Sequence, residues 1–332
     1  MMEGPSTSHA DAVQHAETRP PPELSIAVVI PSYRRPDELT RCLEALADQT
    51  RAPDQIVVVV RRADQITIER CEELSPRLAI EIVTVDRPGQ VAALNAGLAR
   101  VRTTVVAFTD DDCQPHPEWI ARLRGHFLSD RRIGAVGGRD VVHESGAPRA
   151  VFARPVGRIT RLGRLRGNHH AISARQDVQF LKGANMAYRR EVLRGFDDRL
   201  RGDGAQVHND LKASLEVWSA GHRIIWDPAV IVDHYPAPRA DGARGRESLA
   251  ALRRARHNEV YALMSLRPRR VSLVAVVYCF MVGTRTAPGM LLLPYLLLAR
   301  SHSQPGLRFL VALIGRLEGL ATAARSRTRR EC

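Results

Sequence analysis

At 332 residues the chain can bury a substantial core and hold one principal domain plus an appendage. Its formal charge of +13 calls for an anionic partner, but aromatics are only 5% of the chain and no nucleic-acid motif accompanies the basic clusters at 149–175, 239–256 and the C-terminus; this excludes nucleic acid and favours a membrane surface bearing anionic lipid. Five scattered cysteines, Cys42, Cys71, Cys113, Cys279 and Cys332, are odd in number and lack metal-ligand spacing, which excludes a disulfide framework and a zinc site.

In chain order, residues 1–22 carry Pro20-Pro21-Pro22 and no apolar signal-peptide core, and read as a disordered leader on a cytosolic protein. Residues 24–33 form a first buried strand ending near Pro31, and Asp37-Glu38 open an amphipathic helix through Ala47 with Leu39, Leu43 and Leu46 on its apolar face. A second strand covers 55–60, a charged helix 67–75 and a third strand 81–85. The apolar run Val105-Val106-Ala107-Phe108 is a fourth strand, and it runs straight into Asp110-Asp111-Asp112. Strands alternating with helices imply a mostly parallel sheet covered on both faces, with ligands bound beyond the carboxyl ends of the strands. Ser32-Tyr33-Arg34, Arg61 to Asp64, Asp86 and Asp110 to Asp112 fall at those ends, so four loops converge on one crevice.

Three carboxylates held this close repel one another unless a cation compensates them. Hard oxygen ligands favour Mg2+ or Mn2+, which take one or two carboxylates together with substrate phosphates, and so point to a metal shared with a diphosphate. A solvated acidic turn is the plainer alternative.

Val28-Val29-Ile30-Pro31-Ser32-Tyr33-Arg34-Arg35-Pro36-Asp37-Glu38-Leu39, Asn95-Ala96-Gly97-Leu98, Thr109 to Trp119, and Lys182-Gly183-Ala184-Asn185-Met186 through Arg190 together resemble the landmarks of the family 2 glycosyltransferases, in that family's order, over roughly residues 24–236. The resemblance implies a GT-A fold, a Rossmann-like mostly parallel α/β sheet flanked by helices, and an inverting transfer of sugar from a nucleoside diphosphate, with UDP favoured. It implies a Mn2+ or Mg2+ ion on Asp112, Asp110 and His234, donor contacts from Pro31, Tyr33, Arg34, Asp64, Asp86, Asn95, Asp110 and Asp111, and acceptor or loop roles for Lys182, Gly183, Asn185 and Asn209. Asp210, ahead of the helical Leu211–Trp218 stretch, is the implied catalytic base. Apart from the family, His234 reads as a partly buried histidine and Asp210 as a helix N-cap.

The chain also departs from the pattern. Arg61-Arg62-Ala63-Asp64 stands where relatives often have an Asp-Asp-Gly-Ser-like turn, leaving Asp64 to contact the base and Arg61 or Arg62 free to meet the diphosphate. Leu94 replaces a usual arginine, and Asn209-Asp210 replaces Glu-Asp or Asp-Asp. These departures leave a catalytically inactive, basic, membrane-bound adaptor as the alternative. The basic, glycine-rich loop 154–175 is expected to lie over the crevice.

Beyond a domain at 23–240 and a basic helical linker at 241–268, residues 269–332 change character. Val271–Gly283 and Ala287–Ala299 are apolar but each shorter than the roughly 20 residues of a spanning helix, while Leu307–Leu320 is amphipathic and Arg325–Arg330 a cationic tail. They read as interfacial helices at the cytoplasmic face of the cell membrane, with a saccharide, glycolipid or lipid-linked acceptor; a soluble helical appendage or a dimer contact is the alternative.

Overall fold

The computed structural model describes residues 24–143, 152, 155–237, 248–299 and 304–331, with side chains to Ser326. The proposed leader, residues 238–247 at the domain–linker boundary and the side chains of Arg327–Arg330 lie outside them. The first half alternates as expected: β1 Ile26–Ser32, α1 Pro36–Ala47, β2 Gln55–Arg61, α2 Gln65–Leu74, β3 Ile80–Val85, α3 Gln90–Leu98 and β4 Val105–Phe108. Then come β5 Cys113–Pro115, α4 Trp119–Ser129, β6 Ile133–Val142, the hairpin β7 Arg158–Ile159 and β8 Leu165–Arg166, β9 Gln176–Asp177, β10 Met186–Arg189, α5 Asn209–Ser219 and β11 Arg223–His234. The chain closes with α6 Leu249–Leu263, α7 Arg269–Met281, α8 Leu292–Leu298 and α9 Pro305–Glu331.

The main sheet runs β3-β2-β1-β4-β10-β6-β11-β5, with β9 pairing β11. β1 to β4 are mutually parallel, β10 is antiparallel to both β4 and β6, and β11 is parallel to β6. The unbroken apolar runs of β1 and β2 follow from burial on both faces. Ile26, Val28, Ile30, Val58 and Val60 pack with Leu39, Leu43 and Trp119 on one side, while Val29, Val57 and Val59 pack with Val91, Leu94 and Phe108 on the other. Each such buried side chain contributes about 1.5–3 kcal/mol.

Two local features fix how the helices meet the sheet. Pro36 at the first position of α1, with Asp37 and Glu38 in its first turn, starts that helix without a side-chain cap. Gly97 of α3 lies so close to the sheet that a Cβ there would stand 2.4 Å from Val29 Cγ1 and 2.9 Å from Val59 Cγ2. The basic loop is placed differently from the expectation. Its hairpin tip packs on α7, where a Cβ on Gly163 would meet Val274 O at 2.5 Å; among the described residues none of the loop lines the crevice at the strand ends, though its His169 O accepts from Asp140 N at 3.1 Å. A two-residue-per-strand hairpin has little hydrogen bonding of its own and is stabilised by lying on a helix.

Candidate functional site

A cavity of about 410 Å³ opens at the carboxyl ends of β1 to β4. Pro31, Ser32, Tyr33 and Arg35 enter it from β1, Arg61 from β2, Val85 from β3 and Asp110 to Asp112 from β4; Gly89 and Gln90 at the start of α3 and Asp203-Gly204 from a later loop complete it. Of the residues anticipated for the donor and metal, Pro31, Tyr33, Asp110, Asp111 and Asp112 meet here. Tyr33 lies between two guanidinium groups, Arg34 5.2 Å and Arg61 5.1 Å from its ring centre.

The three aspartates are held differently. Asp111 is buried, accepts from Ser32 Oγ at 2.9 Å and from Arg35 Nη1 at 2.8 Å, and burial pushes its carboxyl up to about 6, with Arg35 opposing and Asp112 adding to the shift. Burial also opposes the charge on Asp112, but the His234 imidazole, the Ala237 N–H and Arg35 outweigh it and hold that carboxyl well below the usual range. Asp110 accepts from Gln90 Nε2 at 3.3 Å.

His234 is buried next to Asp112 and does not itself line the cavity. β11 places it opposite Cys113 of β5 and beside Val142 of β6, so its Nε2 stands 3.2 Å from Asp112 Oδ1 and its Nδ1 3.2 Å from Asp140 Oδ1. Asp140 is also ion-paired with Lys182. Nε2 is buried and, despite its approach to Asp112, makes no aligned hydrogen bond. An imidazole nitrogen with no hydrogen-bond partner, facing an ionised carboxylate, with its far nitrogen fixed by a second carboxylate, is the donor set a divalent ion takes. Asp112, Cys113 and His234 lie close enough to share one. Cys113 fits it poorly, because burial and the charges of Asp110 and Asp112 push its thiol well above its ordinary range and a protonated sulfur is a weak ligand. Asp112 and His234 thus fit a hard or borderline cation, and Asp110, the third ligand anticipated, lies on the same cavity wall.

Asp210 stands at the N-terminus of α5, outside the cavity lining, where its Oδ2 accepts from Gly183 N at 3.0 Å and its Oδ1 from Leu211 N at 2.7 Å. Asn209, beside it, is buried and donates to Gln90 Oε1, Ala205 O and Gln206 O, each at 3.2 Å. A hydrogen-bonded chain therefore runs from Asn209 through Gln90 to Asp110, joining the start of α5 to the aspartate cluster.

Other anticipated residues serve the framework. Asp64 caps α2 through Thr67 N and accepts from Arg34 N, holding Arg34 at a φ of +55°. Asp86 is exposed and pairs with Arg62 at 2.8 Å. Asn95 does not line the cavity and brackets Phe196, donating to its O at 2.7 Å and accepting from its N at 2.8 Å. Asn185 accepts from Trp119 Nε1 at 2.9 Å and donates to Arg139 O and Val230 O at 3.2 and 2.9 Å. Sequence reasoning did not single out Arg35, Gln90, Asp140, Asp203 or Gly204. Arg35 sits inside the quoted first motif and Asp203-Gly204 inside the loop before Asp210, whereas Gln90 and Asp140 carried no local signal.

Over 101 residues the chain is 31% identical to the glycosyltransferase AglE of Haloferax volcanii, covering 29% of this chain and 33% of that protein. It is 27% identical over 229 residues to the pre-mycofactocin glycosyltransferase of Mycobacterium tuberculosis, covering 66% of this chain and 45% of that one. The chain thus spans about a third to a half of the length of these relatives. Among solved structures, S. aureus TarS 1–349 in complex with UDP-GlcNAc superposes with a TM-score of 0.56 at 15% identity, over 77% of this chain and 72% of that one. The mannosyltransferase PcManGT from Pyrobaculum calidifontis, in complex with GDP-Man and Mn2+, superposes with a TM-score of 0.51 at 17% identity, over 89% and 86%. The sheet topology and these likenesses give the chain the GT-A fold. A family model described as "Glycosyltransferase like family 2" matches residues 21–262, well over half of the sequence, and the chain belongs to that family.

Proposed function

We propose that the protein is an inverting, divalent-metal-dependent glycosyltransferase that moves a sugar from a nucleoside diphosphate, with UDP the favoured carrier, to a hydroxyl of a saccharide, glycolipid or lipid-linked acceptor. The observation that carries this is the approach of His234 Nε2, at 3.2 Å, to Asp112, which lines the strand-end cavity. The relatives and solved neighbours, which include proteins complexed with UDP-GlcNAc and with GDP-Man and Mn2+, support the reading.

Negative charge grows on the diphosphate as the bond to the sugar breaks. Asp112 and His234, with Asp110 nearby, would hold a Mn2+ or Mg2+ ion, which would supply the neutralising charge. Arg35 and Arg61 are the cations that the chain itself brings to the cavity. Pro31 and Tyr33, both in the cavity lining, lie where the nucleoside would sit. Asp210, fixed by Gly183 N and Leu211 N, is the general base that takes the proton from the attacking hydroxyl, and displacement without a covalent sugar intermediate inverts the anomeric configuration.

The test is the melting shift of the full chain with UDP, GDP, dTDP and CDP, each with and without Mn2+, beside Asp112→Asn. A nucleotide at about a hundred times its dissociation constant stabilises the folded state by roughly 2.7 kcal/mol. The expected result is a Mn2+-dependent shift for one nucleotide, lost in the variant, and sugar transfer lost in Asp210→Asn. No shift with any nucleotide would overturn the enzyme reading in favour of the adaptor.

A further inference from the structure

The helices that follow the family match leave apolar side chains in water that the cavity does not use. Twelve of the nineteen exposed large hydrophobic residues among those described lie between Leu273 and Leu317, too concentrated to be the scatter normal on a soluble surface. On α7, Leu273, Val274 and Val277 are exposed while Ser272, Ala275, Val276 and Cys279 are buried, so the helix turns an apolar stripe outward. On α8, Tyr295, Leu297 and Leu298 are exposed, Leu298 to 85%. On α9, Leu307, Leu310, Ile314 and Leu317 recur at three and four residues on the side away from Gly315 and Gly319, the two glycines pressed on α6.

The charge around these stripes has one sign. Between Glu259 and Glu318 the sequence has no acidic residue and seven arginines. Arg269 and Arg270 are exposed at the start of α7 and Arg285 at the α7–α8 turn. Arg164 and Arg285 also flank a cavity of about 510 Å³ walled by Tyr278, Val282 and Leu292; Glu259 lines it too, paired with Arg256 at 2.8 Å, which leaves the arginines in excess. The turn is held from inside by the buried Arg316, which donates to Pro288 O at 2.9 Å and Ala287 O at 2.6 Å.

We propose that α7, α8 and the outward stripe of α9 form a docking surface for an anionic lipid bilayer, with the helices lying in the interface and the arginines meeting lipid phosphates. Among the described residues no helix is long and apolar enough to cross a membrane, which suits an interfacial arrangement. A second copy of the chain is the poorer occupant, because a two-fold contact would set a surface of arginines without acids against itself. The proposal stands apart from the glycosyl-transfer reading, and its test reads lipid binding and not turnover.

The test is co-sedimentation of the full chain with vesicles of phosphatidylcholine alone and of phosphatidylcholine mixed with phosphatidylglycerol, at low and high salt. The expected result is binding to the mixed vesicles that weakens with salt, and that falls about fivefold for each of Arg269→Gln, Arg270→Gln and Arg285→Gln. The double variant Leu291→Asp/Leu298→Asp, on exposed positions and checked by its melting curve, is expected to remain in the supernatant. Wild-type protein that stays in the supernatant with anionic vesicles overturns the proposal. So does unchanged binding by the double variant, or a lipid-free dimer that the double variant dissolves in a protein that ignores vesicles.

Discussion

Asn209 shows at the scale of one residue why a departure from the family pattern is physically sound. Its amide donates to Gln90 Oε1 and to the Ala205 and Gln206 carbonyls, and Gln90 is thereby oriented to donate to Asp110. A carboxylate at 209 has no proton to give those oxygens. It would face two carbonyls and turn the Gln90 amide toward itself, away from Asp110. Asn209→Asp, which restores the acidic pair common in relatives, is therefore expected to lower kcat/KM roughly five- to a hundredfold, the equivalent of about 1–3 kcal/mol for a buried group left unsatisfied. Steady-state kinetics on the two proteins decides it, and an Asp variant as active as the parent would show that the Gln90 chain is not needed.

The elements are joined by a charged seam as much as by apolar packing. Asp197 accepts from Arg199 Nε at 2.8 Å and Tyr261 Oη of α6 at 2.8 Å, and Lys212 of α5, 3% exposed, lies 3.3 Å from it and 4.8 Å from the Tyr261 ring centre. Burial opposes the charge on Asp197, but the hydrogen bonds and Lys212 prevail and hold its carboxyl well below the ordinary range. A group depressed in the folded state stabilises the fold fully above its unfolded value of about 3.9, and that contribution is lost as pH falls toward the folded value. Asp197→Asn is expected to cost about 2 kcal/mol at neutral pH, since Lys212 keeps Glu216 at 2.6 Å as a second partner. The gap between variant and parent in urea melts should then narrow below about pH 4. A gap constant from pH 7 to pH 3 would mean that the ion pair contributes nothing.

At this scale the sequence announced some elements and hid others, and the reason is physical. β1, β2 and β4 are buried on both faces and read as continuous apolar runs, and α1 declares itself through Pro36 and its apolar spacing. β5 and β10 have three and four residues, too short for a period to show, and their pairings with β11 and with β4 and β6 are long-range. The aspartate cluster was legible because its chemistry is local. Asn95 was not, because the same motif that marks the family contributes Gly97 for a close approach to the sheet and Asn95 to clamp a backbone over a hundred residues away. Asp140 acquires its meaning only when β6 and β11 lie side by side and bring it to His234.

Across the whole molecule, the C-terminal helices are coupled to the strand-end cavity. A Cβ on Gly315 would stand 2.3 Å from Arg253 O and one on Gly319 2.6 Å from His257 O, so α9 rests directly on the backbone of α6. Next to His257, Asn258 accepts from Arg201 N at 2.8 Å and donates to Arg201 O and Val207 O at 2.9 and 3.0 Å, gripping both ends of the loop that places Asp203 and Gly204 in the cavity. Glu318 of α9 adds ion pairs to Arg201 and Arg253. In Gly315→Ala/Gly319→Ala the helix gains propensity of about 1 kcal/mol per site, but each methyl group meets a carbonyl oxygen of a backbone that cannot step aside, and overpacking of that kind costs about 1–3 kcal/mol. The clash should win: α9 lifts from α6, the melting temperature falls, and the loop at 201–207 loosens. We expect KM for the sugar nucleotide to rise severalfold while kcat changes less, because Asp210 keeps its own bonds to Gly183 N and Leu211 N. A lower melting temperature with an unchanged KM would separate the stability of the helical appendage from the working of the cavity.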